Sequence, residues 1–186
     1  MHTRAMNRQL RTLIAIVLLA LAAYIAKVPL SGIRPSISQQ PHTSEWYPVV
    51  RVSDGDTIVV RRGGKEQPVR LIGINTPEVS SPYTKQECFG KEASAEAKRI
   101  LNGTSVRLEA DPTQDQYDKY RRLLAYVYMP ANSTSTGIMF NEYMVREGFA
   151  REYTYKVPYE YQAEFKADAA AAQAARKGLW GTCPTS

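Results

Sequence analysis

From Val49 onward, apolar and polar positions alternate in short runs that predict strands. Val49–Val52 and Thr57–Arg61 read as two strands separated by the turn Ser53-Asp54-Gly55, and Gly63-Gly64 signals a hairpin into a third strand at Val69–Ile74. The period then changes. Ala93, Ala97, Ile100 and Leu101 fall on one helical face, and Asn102-Gly103 ends that helix with residues that tolerate a left-handed backbone. Ser105–Ala110, where Val106 and Leu108 alternate with charges, and Leu123–Tyr128 predict two further strands. After a loop at Asn132–Gly137, Phe140, Tyr143 and Met144 mark a short helix ending at Gly148. A last helix is expected from Pro158 through the alanine-rich stretch to Ala175, stopping at Gly178. Strands interleaved with helices in this way predict an α+β fold built on a small closed or partly closed barrel, rather than a doubly wound sheet.

The amino-terminal segment follows a different pattern. A basic stretch to Arg11 precedes fourteen uninterrupted apolar residues, Leu13 to Ala26, and a Ser/Pro/Gln-rich segment follows Lys27. Fourteen residues fit a signal-peptide core better than a full span, which needs roughly 20. Residues 1–27 are therefore expected to be a cleaved signal peptide or an uncleaved membrane anchor. Residues 28–45 read as a flexible linker and 46–183 as the folded domain. In either case the domain is exported, secreted or held in the cell envelope facing outward.

This division changes the reading of charge and cysteine. The 186-residue chain carries a net charge of +6, but residues 1–44 supply +5 of it through Arg4, Arg8, Arg11, Lys27 and Arg34. The remainder is nearly neutral, so basicity is no argument for a nucleic-acid partner. Cys88 and Cys183 are the only cysteines, and an oxidising compartment favours their pairing as a disulfide. Both histidines, His2 and His42, precede the domain. Histidine-based triads and Cys/His zinc sites are thereby excluded, which leaves carboxylates, Arg, Lys and Tyr to carry any chemistry.

Such residues concentrate in three segments. Asp54-Gly55-Asp56-Thr57 places two carboxylates on a tight turn, a way of gathering hard oxygen ligands around a divalent cation. In Arg70-Leu71-Ile72-Gly73-Ile74-Asn75-Thr76-Pro77-Glu78, an arginine leads an apolar strand and polar groups cluster where it ends. Asp118-Lys119-Tyr120-Arg121-Arg122 enters the fifth strand with guanidinium groups suited to phosphate.

In this order and at these separations the segments resemble the staphylococcal-type nucleases, or thermonucleases. The resemblance runs over roughly residues 47–181 and takes in Gly90-x-Glu92-Ala93, Leu124-Ala125-Tyr126, Asn141-Glu142, Val145-Arg146-x-Gly148-x-Ala150 and Trp180. It implies a five-stranded OB-type β-barrel with three helices, and calcium-dependent endonucleolytic cleavage of DNA and RNA to 3′-phosphate ends.

Position by position, the resemblance implies that Asp56, Asn75 and the Thr76 carbonyl bind Ca²⁺, with Asp54 acting through water. Glu78 would orient or deprotonate the attacking water, and Arg70 and Arg122 would grip the phosphate. Lys119, Tyr120, Tyr153 and Tyr155 match nucleotide-contacting positions. The chain departs from the family at Asn75, where an aspartate is usual, so weaker metal affinity is expected. Arg121 replaces a small residue, and Met129–Gly137 is longer than the usual turn. A monomer is expected, with DNA or RNA as partner and the membrane as a further one if the anchor is uncleaved. Two rival readings are a catalytically inactive OB-type module that binds single strands by tyrosine stacking, and an envelope interaction domain. Neither rival accounts for the full set of Glu78, Arg70 and Arg122.

Overall fold

β1 (Trp46–Asp54) buries Tyr47, Val49 and Val52, and two register irregularities bend it enough to serve two partners. Its first half pairs with β5 (Ser105–Glu109) and its second half with β2 (Thr57–Arg62). β2 turns into β3 (Lys65–Leu71) through Gly63-Gly64, both at positive φ, as a two-residue hairpin turn requires. β5 pairs with β6 (Leu123–Ala131), and β6 runs parallel to β3 through Val69–Leu123, Arg70–Leu124 and Leu71–Ala125. That parallel contact closes the ring β3-β2-β1-β5-β6 into a five-stranded barrel. This computed structural model describes residues 45–80, 82, 85–131 and 134–184, without the side chains of 134–136. The expected signal or anchor over 1–27, nearly all of the linker, and both histidines lie outside the described residues.

The three expected helices are present. α1 (Gly90–Leu101) turns Ala93, Ala97 and Leu101 inward and packs on β1. α2 (Phe140–Arg146) packs on β6 and on α3 (Gln162–Ala174). The core joins the barrel interior to these helices through fully buried Tyr126, Phe140, Phe165, Leu71 and Met144. Asn141 is buried there too. Its amide donates to the Ile72 and Ala125 carbonyls and its oxygen accepts from the Val127 N–H, so it fastens the end of β3 to β6. A buried amide is tolerated only when satisfied in this way.

Four expectations need correction. The third strand does not run on to Ile74, because Gly73 at φ 80 breaks it, and Ile74–Asn75 form a separate β4 paired with β8 (Arg151–Glu152). A side chain at 73 would meet the Tyr159 ring at 2.7 Å, so the chain must turn there as glycine. Asn132–Gly137 is not simply a loop: β7 (Thr134–Met139) pairs with β6, and its Ser/Thr composition reflects an edge strand that needs only one neighbour. The last helix starts at Gln162 rather than near Pro158. The Glu160 N–H is committed to Asp111 Oδ2 at 2.8 Å and the Pro158 carbonyl to Thr113 Oγ1 at 3.1 Å. Beyond Gly178 a single-turn α4 (Leu179–Thr182) adds a fourth helix. It carries Cys183 to Cys88, and the two are joined in a disulfide.

Candidate active site

The three chemistry-bearing segments meet on one side of the barrel, in a cleft of about 800 Å³. Asp54 ends β1 and Asp56 precedes β2. Gly55 between them is required, since a Cβ there would lie 2.7 Å from the Thr76 side chain. Asp56, only 8% exposed, accepts from Thr57 Oγ1 on one oxygen and from the Thr76 N–H, at 3.2 Å, on the other.

The break at Gly73 curls the strand end around Arg70. One Arg70 nitrogen donates to the Leu71 and Ile74 carbonyls at 2.7 and 2.9 Å. The other lies 3.0 Å from both Asn75 Oδ1 and Asp56 Oδ2. Burial works against the Arg70 charge and Asp56 supports it; an arginine stays protonated in such a setting. Asp56 and Asn75 are thus brought onto a single point although they are 19 positions apart in the chain.

Arg122 is held by Asp118. Asp118 accepts from the Arg122 Nε at 2.6 Å and from the backbone N–H groups of Tyr120 and Arg122. The Arg122 guanidinium also reaches Thr57 Oγ1 at 3.3 Å, so Thr57 links Arg122 to Asp56. Burial, opposed by these hydrogen bonds, leaves the Asp118 carboxyl below its usual value.

Glu78 projects from the segment after Pro77. Its backbone is pinned by the Glu87 N–H donating to its carbonyl at 2.9 Å and by its own N–H donating to Glu87 Oε2 at 3.3 Å. The α1 start presses on the same carbonyl, which a Cβ on Gly90 would strike. Burial, with the charges of Asp54, Asp56 and Glu87, pushes the Glu78 carboxyl above its usual range. A carboxyl shifted upward is a stronger base at working pH. Asp54 is raised as well, first by burial and then by Asp56, against the pull of the Gly55 N–H.

Tyr120, Tyr153 and Tyr155 are exposed along the cleft with Lys119, whose ammonium sits 4.9 Å from the Tyr120 ring centre. Tyr153 and Tyr155 lie with ring centres 6.4 Å apart. Nine of the ten residues expected to hold metal, substrate or catalytic roles line the cleft. The exception is Thr76, which is 1% exposed, and its hydroxyl has no hydrogen-bond partner among the described residues. The expected role of Thr76 uses its carbonyl, not its hydroxyl. Asp118 and Thr57 are functional neighbours that the sequence motifs do not mark: the spacing of Asp118 four residues before Arg122 is a signal for the first, and the sequence carries none for the second.

The donor set suits a hard divalent cation: a buried carboxylate and an amide oxygen converge, with no soft ligand beside them. Among the described residues no three His, Cys, Asp or Glu side chains form a metal cage. A cation here would rest on Asp56 and Asn75 with the Thr76 carbonyl, water and substrate oxygens completing its shell.

A five-stranded barrel closed between β3 and β6 with helices packed on it is an OB-type fold, and its cleft gathers carboxylates and arginines. The staphylococcal nuclease homologue family model matches residues 68–182, a span that holds the expected site residues except Asp54, Asp56 and Cys183. The chain is 42% identical over 136 residues to a thermonuclease of Staphylococcus hyicus, covering 73% of this chain and 76% of that protein. It is 38% identical over 136 residues to a thermonuclease of Staphylococcus intermedius, with the same coverage. It is 34% identical over 146 residues to the endonuclease YncB of Bacillus subtilis strain 168, covering 75% of this chain and 66% of that protein. The chain belongs to the staphylococcal nuclease homologue family.

Proposed function

We propose that the protein is a calcium-dependent endonuclease that hydrolyses phosphodiester bonds of DNA or RNA and leaves 3′-phosphate ends. The observation that carries this reading is the convergence of Glu78, Arg70, Arg122, Asp56 and Asn75 on one cleft flanked by exposed tyrosines. In it, Glu78 accepts a proton from the attacking water. Arg122, oriented by Asp118, donates to the phosphate oxygens as negative charge builds on them, and Arg70 adds positive charge from the cleft floor. The bond to the 5′ oxygen breaks, that oxygen takes a proton from solvent water as it leaves, and Glu78 returns its proton to solvent. Bound at Asp56, Asn75 and the Thr76 carbonyl, calcium would supply Lewis-acid neutralisation of the phosphate. Lys119, Tyr120, Tyr153 and Tyr155 hold the neighbouring sugar, base and phosphate groups.

The same reading makes residues 46–183 the nuclease domain of an exported monomer, 28–45 its linker and 1–27 its signal peptide or anchor. No helix among the described residues is long and apolar enough to cross a membrane.

The test is to incubate the full-length chain with single- and double-stranded DNA and with RNA, in calcium or in chelator, and to analyse the ends. Calcium-dependent fragments with 3′-phosphates are expected. Binding without cleavage would instead establish an inactive binding module.

A further inference from the structure

Beside the cleft lies a second groove of about 440 Å³, walled by Gln67, Pro68, Tyr117 and Arg121. Tyr117 lines both cavities, so the groove continues the cleft rather than standing apart from it. Its walls have the chemistry of a stacking site. Tyr117 is 42% exposed, Pro68 offers an apolar ring without an N–H, and none of the four residues is acidic.

The placement is fixed by the backbone. Tyr117 bridges to Leu123, Asp118 N–H donates to the Arg122 carbonyl at 3.0 Å, and Arg121 N–H donates to the Asp118 carbonyl at 2.9 Å. A closed turn results, and Tyr117 and Arg121 leave its base toward β3. Arg121 takes φ 63, a left-handed conformation that a long side chain rarely adopts. Among the described residues Arg121 has no ion-pair partner, although neighbouring Arg122 is paired with Asp118. A strained, exposed and unpaired guanidinium next to an exposed aromatic is poorly explained by folding.

We propose that this groove is a further subsite for the nucleic-acid strand, in which an unpaired base stacks on Tyr117 and Arg121 takes an adjoining phosphate. The inference rests on the nuclease reading and extends it, naming where the strand continues beyond the cleft. Stacking needs a base that is free of its partner, so the subsite favours single-stranded substrate. Any base presents a face to the ring, so it selects little by sequence. An arginine supplies two parallel donors to phosphate, which fits Arg121 to the strand's backbone.

The test uses the full-length chain and a fluorescently labelled single-stranded octanucleotide of mixed sequence, as DNA and as RNA, with binding followed by anisotropy in chelator so that nothing is cut. Arg121→Gly suits the left-handed backbone and keeps the turn, and Tyr117→Ala removes the ring. Tyr117→Ala is expected to weaken binding at least fivefold, on the scale of one lost stacked base, and Arg121→Gly is expected to weaken it and to shallow the salt dependence by about one phosphate contact. In calcium, the ratio of kcat/KM for the octanucleotide to that for a dinucleotide falls in both variants. Either variant binding the octanucleotide as tightly as wild type overturns the subsite. Tight wild-type binding that both variants weaken, without cleavage in calcium, upholds the subsite and overturns the nuclease reading instead.

Discussion

Arg70 and Asp56 form a nearly buried ion pair, with Nη2 3.0 Å from Oδ2 and the two side chains only 13% and 11% exposed. The sequence points one partner to phosphate and the other to metal, yet in the fold they are paired with each other. Removing either leaves a buried charge uncompensated, which costs about 3–5 kcal/mol where pairing is complete. Arg70→Met is therefore expected to lower stability by about 3 kcal/mol and to abolish cleavage. Urea denaturation and turnover check the two effects, and calcium should restore part of the lost stability by supplying Asp56 with a new counter-charge.

Glu78→Gln is the opposite case. Glu78 is partly buried and its placement comes from its backbone bonds to Glu87, which glutamine keeps. Turnover is expected to fall by about 10²-fold or more, the usual weight of a general base, with the melting temperature unchanged. Undiminished turnover in the variant would show that Glu78 takes no part in the reaction.

Asn75 shares an Arg70 nitrogen with Asp56, so Asn75→Asp places a second carboxylate on the same point. Added ligand charge tightens calcium binding, and on the order of tenfold, about 1.4 kcal/mol, is expected for one such charge. The calcium concentration for half-maximal cleavage should fall accordingly. A titration in which the variant needs as much calcium as wild type removes Asn75 from the metal's ligands.

The Cys88–Cys183 disulfide closes a segment of 95 positions and holds the residue next to Glu87, whose bonds set Glu78. For a loop of that length the chain-entropy model gives about 4–5 kcal/mol. A double Cys→Ala variant is expected to lose most of that in denaturant unfolding. Its kcat should fall more than its KM rises, because the loosened segment carries the base rather than the binding tyrosines.

Asp111 provides the pH prediction. Burial alone would raise its carboxyl, but Tyr126 OH at 2.6 Å, the Glu160 N–H at 2.8 Å and Thr113 together hold it below 3.8. A lowered folded value means the stabilisation is complete above 3.8 and is lost as pH falls from there through the folded value. Asp111→Asn is expected to cost about 2 kcal/mol at pH 7 and to flatten this acid limb. Thermal melts of both proteins across that range measure it.

The sequence by itself determined the local elements and most of the cast of residues. Period-two runs marked the barrel strands because their inward positions must be apolar, Gly63-Gly64 marked a hairpin because both need positive φ, and the Ala93–Leu101 face marked α1. The lone cysteine pair and the absence of histidine from 45–186 were equally local facts, readable without a fold. Only the tertiary structure decided the parallel β3–β6 contact, and that closure carries Arg122 to the acidic side of the site. It places Thr57 between Asp56 and Arg122, with Thr57 and Arg122 65 positions apart in the chain. The Gly73 break was invisible for a related reason: its cause is the Tyr159 ring, 86 positions away. Periodicity records which face of a segment meets an apolar interior. It does not record which distant polar group a side chain will meet there, because that partner is chosen by how the barrel closes.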